Sequence, residues 1–427
     1  MKGWKKIGLT LMATATVLTL TACGGGSSNT SGESNGKVTI QFMHWGGTDT
    51  YKGDYQKRIE AFEKANPKIK VKTITVGDNY DTKLQTMIAG NKAPDVAQVA
   101  ENGTGFASKN AFIDLDPYIK KDNLDMVKTY GNASALYKWK GKFFGMPDRG
   151  GSGILIYNKK IFDKAGLAYP NDKWTMEDFY KAAKKLTIDG TGKEKKQYGT
   201  QVADYVLGWG GAMMSNGGSV INAATKKATI NSPENVKTFE EYNKNFKESS
   251  IPYQVSEDKV NRFQGGKVAM ILDGMWQIQP SMKLKGMEFD IAPMPGKYTW
   301  STGSALTISR QSDKAHQDAA WKFIKYMGSY KAQQILGKNL MDCPANLQVL
   351  DSKEFQNQKI MGKTVNMEAI AENQRKVKID GMLKGPWYAE AMTETSNQLK
   401  EMLLGHQTPA ATLKSLQSKL QTIVNKY

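Results

Sequence analysis

Val38-Thr39-Ile40-Gln41-Phe42-Met43 is the stretch on which the fold of this 427-residue chain turns. Val38, Ile40 and Phe42 alternate with Thr39, Gln41 and Met43, and a period of two predicts a strand. Tyr55, Ile59 and Phe62 then recur at helical spacing, and Asn66-Pro67 predicts the end of that helix. The pattern continues outward with a strand over 69–76, a helix over 80–89 and a strand over 95–100. Strand and helix keep alternating through the chain, which predicts an α/β fold of mostly parallel sheets flanked by helices.

Two later helices carry clear signals. Thr175 with Asp178 three residues on forms a capping-box-like start, and Phe179, Ala182, Ala183 and Leu186 follow at i, i+3, i+4 and i+7. Ala320, Phe323, Ile324 and Met327 repeat that spacing. The length exceeds what one hydrophobic core usually supports, so two lobes are expected. Apolar content of 40% with 10% aromatics excludes a disordered chain. There is no repeat of fixed period, and no second apolar run long enough for a membrane span follows the first.

That first run lies at residues 7–22, behind Lys2, Lys5 and Lys6. It is too short for a comfortable span, which needs about 20 residues, and reads as a secretion signal. Leu20-Thr21-Ala22-Cys23 closes it and resembles a bacterial lipoprotein signal. The resemblance implies a signal peptide over 1–22, a diacylglyceryl or palmitate-type anchor on Cys23, and an extracytoplasmic place on the cell membrane. The alternative is an ordinary secretory peptide with an incidental cysteine. Residues 24–36 are almost all Gly, Ser, Asn and Thr, a flexible tether. Removing the three lysines of the leader takes the net charge from +18 to +15. The remaining lysines are scattered and no arginine-rich tract occurs. A solvated basic surface facing anionic membrane or wall polymer is therefore expected, and nucleic acid is not. Cys343 would be the remaining thiol, expected to be a small buried apolar residue without a disulfide.

Several stretches together resemble the solute-binding proteins of sugar ABC importers, family 1, the maltose and multiple-sugar-binding type. They are Ala93-Pro94-Asp95-Val96 with Phe112-Ile113-Asp114-Leu115; Lys140-Gly141-Lys142-Phe143-Phe144-Gly145-Met146-Pro147 running into Ile156-Tyr157-Asn158-Lys159; Gly266-Lys267-Val268-Ala269-Met270-Ile271 with Asp273-Gly274-Met275-Trp276; Phe289-Asp290-Ile291-Ala292-Pro293-Met294-Pro295-Gly296; and Pro386-Trp387-Tyr388. Their order spans nearly all of 37–427. The resemblance implies a two-lobed, type II periplasmic-binding-protein-like fold with a cleft between lobes. Lobe 1 is placed at 37–147 with 294–342 and lobe 2 at 148–293 with 343–427. Crossings are expected near 147–150, 292–295 and 341–345, where Pro and Gly cluster. It further implies a monomeric receptor without cofactor that delivers an oligosaccharide to ABC permease subunits.

Sugars present hydroxyl edges and apolar faces, so a sugar site needs aromatic platforms beside carboxylate, amide or guanidinium groups. Nine tryptophans occur. By resemblance Trp45 and Asp49 belong to the first ligand-contacting loop, although Trp45 also fits a core aromatic. Glu101 and Asn102 follow the third strand, where open α/β sheets hold ligands. Arg149 lies at an expected crossing and is open to two readings, a contact for an acidic sugar or a salt bridge to Asp148 or another residue. The maltose-type pattern has a carboxylate where this chain has Gly151, which places maltose in doubt. Tyr205, Trp209, Asp273, Trp276, Trp300 and Trp387 complete the expected contacts, while Trp139, Trp174 and Trp321 are assigned to packing.

Enzyme motifs are absent. His44, His316 and His406 stand far apart with no metal-ligand spacing, Gly150-Gly151-Ser152-Gly153-Ile154 fails the G-x-S-x-G pattern, and Gly190-Thr191-Gly192-Lys193-Glu194 reads as a turn rather than a phosphate loop. No local motif points to a pair of glycosidase carboxylates. The alternative to a receptor is a surface glycan-active enzyme or adhesin on the same fold.

Overall fold

The computed structural model describes residues 36–46, 49–190, 196–201, 205–250, 263, 265–278, 281, 286–338, 342–359 and 362–427, with backbone alone at 49–52 and at 152. The leader, Cys23 and the turn expected at 190–194 lie outside these residues, apart from Gly190. Residues 37–427 form one compact unit. Its elements begin with β1 (Val38–Trp45), α1 (Asp49–Ala65), β2 (Ile69–Val76), α2 (Tyr80–Ala89) and β3 (Val96–Val99). These are the strands and helices that the periodicity predicts. The two faces of β1 carry Ile40 with Phe42 and, on the other side, Met43; Phe62 of α1 shares the core of Ile40 and Phe42, and all four are fully buried.

The chain continues with β4 (Gly145–Ser152), β5 (Ile154–Asn158), α3 (Met176–Lys185), β6 (Tyr198–Gln201), α4 (Val206–Ser215), α5 (Pro233–Ser249), β7 (Val268–Asp273) and β8 (Phe289–Ala292). It ends with β9 (Thr299–Ile308), α6 (Lys314–Met327), β10 (Cys343–Pro344), β11 (Val377–Lys378), α7 (Tyr388–Leu403) and α8 (Pro409–Val424). Two larger sheets result. One has the order β10-β4-β9-β3-β1-β2, with β11 also paired to β9; the other has the order β8-β5-β7-β6.

Both sheets are mixed, whereas the alternation of elements predicts mostly parallel ones. β1 pairs in parallel with β2 and β3, β6 with β7, and β9 with β11. β9 runs antiparallel to β3 and β4, and β5 antiparallel to β7 and β8. The reversed strands are those by which the chain passes between sheets. β4 runs past the crossing expected at 147–150 to Ser152, and Gly153 alone separates it from β5 in the other sheet. A strand entered directly from the opposite sheet needs no helical crossover, and so is free to run against its neighbours.

Helix starts follow from local chemistry. Thr175 accepts from the Asp178 N–H while Asp178 accepts from the Thr175 N–H, the capping box expected from the sequence. Ala320, Phe323, Ile324 and Met327 form the fully buried face of α6. Phe323 meets Phe42 and Phe62 edge-on, with ring centroids 5.2 Å apart in both pairs. Among the described residues no helix is long and apolar enough to cross a membrane. Cys343 is buried, as expected, and burial pushes its thiol up.

Candidate ligand cleft

A cavity of about 410 Å³ opens where the carboxyl ends of β1 and β3 meet residues from the second sheet. That volume falls in the range of small-molecule sites. Trp45 ends β1, Glu101 lies just beyond β3, and Thr302 and Ser304 come from β9. Tyr205 immediately precedes α4, and Trp276 lies just after β7. Indoles from both sheets therefore border one space. Trp45 leans on the Tyr80 ring (centroids 5.0 Å) and Trp276 meets Tyr205 edge-on (6.5 Å), so each platform is buttressed on one side.

Glu101 is held by the N–H of Gly303, which donates to its Oε1 at 3.0 Å. Gly303 has φ +143°, and a Cβ there would come within 2.6 Å of the Arg149 carbonyl oxygen, so only glycine places that donor. Beside it the β4–β9 register shifts between Ser304 and Ala305, a bulge of the kind that re-aims side chains at sites. Burial pushes the Glu101 carboxyl up to about 7, with the Asp81 charge acting in the same direction and the backbone donors of Glu101 and Gly303 opposing. At neutral pH Glu101 can therefore either donate or accept a hydrogen bond. The Thr302 hydroxyl is buried against the cavity with no partner among the described residues.

Beneath the cavity lies a buried ionic network. Arg58 of α1 is fully buried and donates to Asp148 (2.7 Å) and Asp54 (2.6 Å). Arg149 lies 3.0 Å from Asp54 and 3.5 Å from Asp148, and also pairs with Asp342. Both guanidiniums lie 4.7 Å from the centroid of the Tyr55 ring, whose hydroxyl donates to Asp148 at 2.7 Å. Burial would raise the Asp148 carboxyl, but Arg58 and Arg149 outweigh it and hold it low. Of the two readings open for Arg149, the structure thus places it in salt bridges.

The expected contact residues divide into two groups. Trp45, Glu101, Arg149, Tyr205 and Trp276 border the cavity. Trp209, Trp300 and Trp387 do not: they are 1%, 1% and 3% exposed, inside one hydrophobic core. Trp209 and Trp300 pack on each other at 5.9 Å between centroids, and the Trp387 Nε1–H donates to the Gly381 carbonyl. Their apolar surroundings on every side, rather than a one-sided platform, account for this. Asn102 turns to Asp81, donating at 2.6 Å. Asp273 accepts from the Gly274 N–H and from the Gln277 side-chain amide, so its oxygens brace the turn that carries Trp276. The side chain of Asp49 lies outside the described residues. Gln98, Thr302, Ser304 and Asp342 border the cavity without having been singled out. A glutamine in the otherwise apolar Val96-Ala97-Gln98-Val99 was the available signal for the first; it donates to Ser304 at 2.9 Å. Among the described residues no group of His, Cys, Asp or Glu is arranged to hold a metal ion.

Residues 47–334 match the bacterial extracellular solute-binding protein family. The chain belongs to that family. Among its relatives are a multiple sugar-binding protein of Streptococcus mutans, 28% identical over 78% of this chain and 81% of the relative. An arabinooligosaccharide-binding protein of Bacillus subtilis is 27% identical over 82% and 83%. Among solved structures, an ABC substrate-binding protein from Listeria monocytogenes in complex with cycloalternan superposes with a TM-score of 0.77 at 28% identity, covering 90% of this chain and 98% of that one. The cyclic α-maltosyl-1,6-maltose binding protein of Arthrobacter globiformis reaches a TM-score of 0.79 at 16% identity over 92% and 100%, a likeness of fold. The fold of this solute-binding protein is accordingly the two-lobed α/β architecture expected.

Proposed function

We propose that this solute-binding protein captures an oligosaccharide in the cleft between its two sheets and delivers it to the permease of an ABC importer, without altering it chemically. The observation that carries this reading is the meeting of Trp45 at the end of β1 and Trp276 just after β7 around a single cavity that also presents Glu101 and a Thr302 hydroxyl with no partner among the described residues. Two indoles on one cavity suit the apolar faces of sugar rings, and the oxygens suit the hydroxyl edges. The names of its relatives in Streptococcus mutans and Bacillus subtilis support the sugar class. In this reading each of the two sheets anchors one lobe, and the boundaries expected at 147 and 342 move to 152 and beyond 344, since β4 and β10 pair within the first sheet. The lobes close by small dihedral changes where the chain passes between them, and a monomer suffices. Lipid attachment at Cys23 would hold the receptor outside the cytoplasmic membrane beside its transporter.

Thermal melting in the presence of neutral and acidic oligosaccharides tests the reading, because a ligand that binds only the native form at 100 times its Kd adds about 2.7 kcal/mol of stability. Trp276→Ala is expected to abolish the sugar-induced rise while leaving the ligand-free melting temperature nearly unchanged. An undiminished rise in that variant would refute the site.

A further inference from the structure

We infer that Gln333 is the positioning residue of the hinge. It ties two of the passages between the sheets to one lobe and so sets how readily the cleft closes on its ligand; this rests on the capture reading above. Gln333 lies in the helix Tyr330–Gly337, is fully buried and does not border the cavity. Its Nε2 donates to the carbonyls of Asp148 (2.7 Å) and Met327 (2.8 Å). Its Oε1 accepts from the N–H groups of Ala345 (2.7 Å) and Asn346 (3.4 Å). A carboxamide has two N–H donors and two acceptor lone pairs, so its whole capacity is in use. One side chain therefore joins the end of α6 to β4 and to the chain leaving β10.

Both of those segments lead out of the first sheet. Beyond Asp148, β4 ends at Ser152 and the chain enters β5 after Gly153 alone. Beyond β10, Ala345 still packs in the core of Ile40 and Phe42, whereas Val349 and Leu350 pack in that of Ile154 and Ile271. The passage from β8 to β9 runs alongside, because a Cβ on Gly153 would come within 3.0 Å of the Met294 Sδ. That passage is held from the other lobe. The Met294 N–H donates at 2.8 Å to Oδ1 of Asn373, a fully buried residue of the helix Glu368–Arg375 whose neighbours Ala369 and Ile370 lie in the second core.

Hinges concentrate dihedral change in a few residues. With β4 and the chain up to Asn346 fixed by Gln333, bending falls on Gly153 and on the peptides just after Asn346. Without that clamp β4 and β10 are free to shift against α6. The ligand-free protein then spreads over arrangements in which Trp45 and Trp276 no longer border one space. The apparent Kd rises in inverse proportion to the fraction of molecules in the competent arrangement.

The test replaces Gln333 by methionine, which keeps the length of the side chain and none of its hydrogen bonds. Parent and variant are compared without sugar by small-angle X-ray scattering, and with maltotriose, raffinose and arabinotriose by thermal shift and calorimetry. Gln333→Met should broaden the distribution of interatomic distances in the sugar-free protein. It should also weaken any sugar that binds the parent by about tenfold, as a fall of the competent fraction to about one tenth requires. Such a loss removes about 1.4 kcal/mol from the sugar-induced stabilisation. Gln333→Asn keeps the amide but is one methylene too short to reach both segments, and is read in the same way where the methionine variant does not fold. Tyr130→Phe is the control: the Tyr130 hydroxyl donates to the Gly328 carbonyl at 3.1 Å, near the end of α6, without bonding to Asp148, Ala345 or Asn346. Its loss should lower the melting temperature while scattering and the sugar-induced rise stay those of the parent. A merely structural Gln333 would behave like this control, so unchanged scattering or an unchanged sugar-induced rise in Gln333→Met overturns the inference and leaves the capture reading standing. Changes of equal size in Tyr130→Phe overturn it as well. Failure of every sugar to bind the parent overturns the capture reading, and the sugar-free scattering then decides by itself whether Gln333 holds the hinge.

Discussion

Replacing Glu101 by glutamine isolates one titration whose sign and size follow from the structure. Burial pushes the Glu101 carboxyl from 4.5 up to about 7, so between those values the folded protein holds a proton that the unfolded chain has released. Stability must then fall as pH rises through that window, because the native state binds more protons than the unfolded one. The loss begins near 4.5 and is complete above about 7. At 1.36 kcal/mol per pH unit, the whole window amounts to on the order of 3 kcal/mol. Glutamine keeps an oxygen for the Gly303 N–H and never ionises. Glu101→Gln should therefore match the parent near pH 4 and exceed it by on the order of 3 kcal/mol at pH 8. Urea denaturation of both proteins at intervals between pH 4 and 8 measures the difference, and every other titrating group cancels in it. A difference that stays constant across this range would refute the claim that burial in the cleft controls this carboxyl.

Arg58→Ala should destabilise by about 3–5 kcal/mol in the same assay, since it strands two carboxylates in a buried network; a loss under about 1 kcal/mol, the worth of an exposed pair, would contradict that burial. Gly151→Ala should lower the melting temperature, because the added Cβ meets the Thr302 backbone at 2.7 and 2.8 Å as well as its hydroxyl. Gly53→Ala in α1 is the control: nothing lies within 4 Å of its Cβ, and it should stabilise by up to about 1 kcal/mol. Equal effects of the two substitutions would contradict the close approach of β4 to β9.

Strand and helix identities were legible because burial of one face imposes a local period. Phe42, Phe62, Phe179 and Phe323 each lie where their spacing puts a core residue, and all are buried. Thr175 and Asp178 declared their helix start for an equally local reason, since both partners of the capping box lie within four residues. Trp45 and Trp276 were recognisable as candidates for the cleft because each lies at or just beyond the carboxyl end of a strand, where side chains are free to face a ligand.

Local spacing could not separate those two tryptophans from Trp209, Trp300 and Trp387, which also follow turns or begin elements yet pack inside a core. What surrounds an indole depends on residues far outside its own local pattern, as Phe239 and Trp300 against Trp209 and Ile221 beside the loop of Gly381 illustrate. The direction of β4, β5 and β9 was equally hidden, because side-chain alternation is the same in parallel and antiparallel strands. The sequence by itself therefore determined the elements, their inward faces and the presence of aromatic and acidic groups suited to a sugar. Only the tertiary structure decided which of those groups share the cleft, and that Arg149 is held by Asp54, Asp148 and Asp342. Coulomb energy depends on distance in space, and those three carboxylates are brought to one guanidinium from positions spread over nearly three hundred residues.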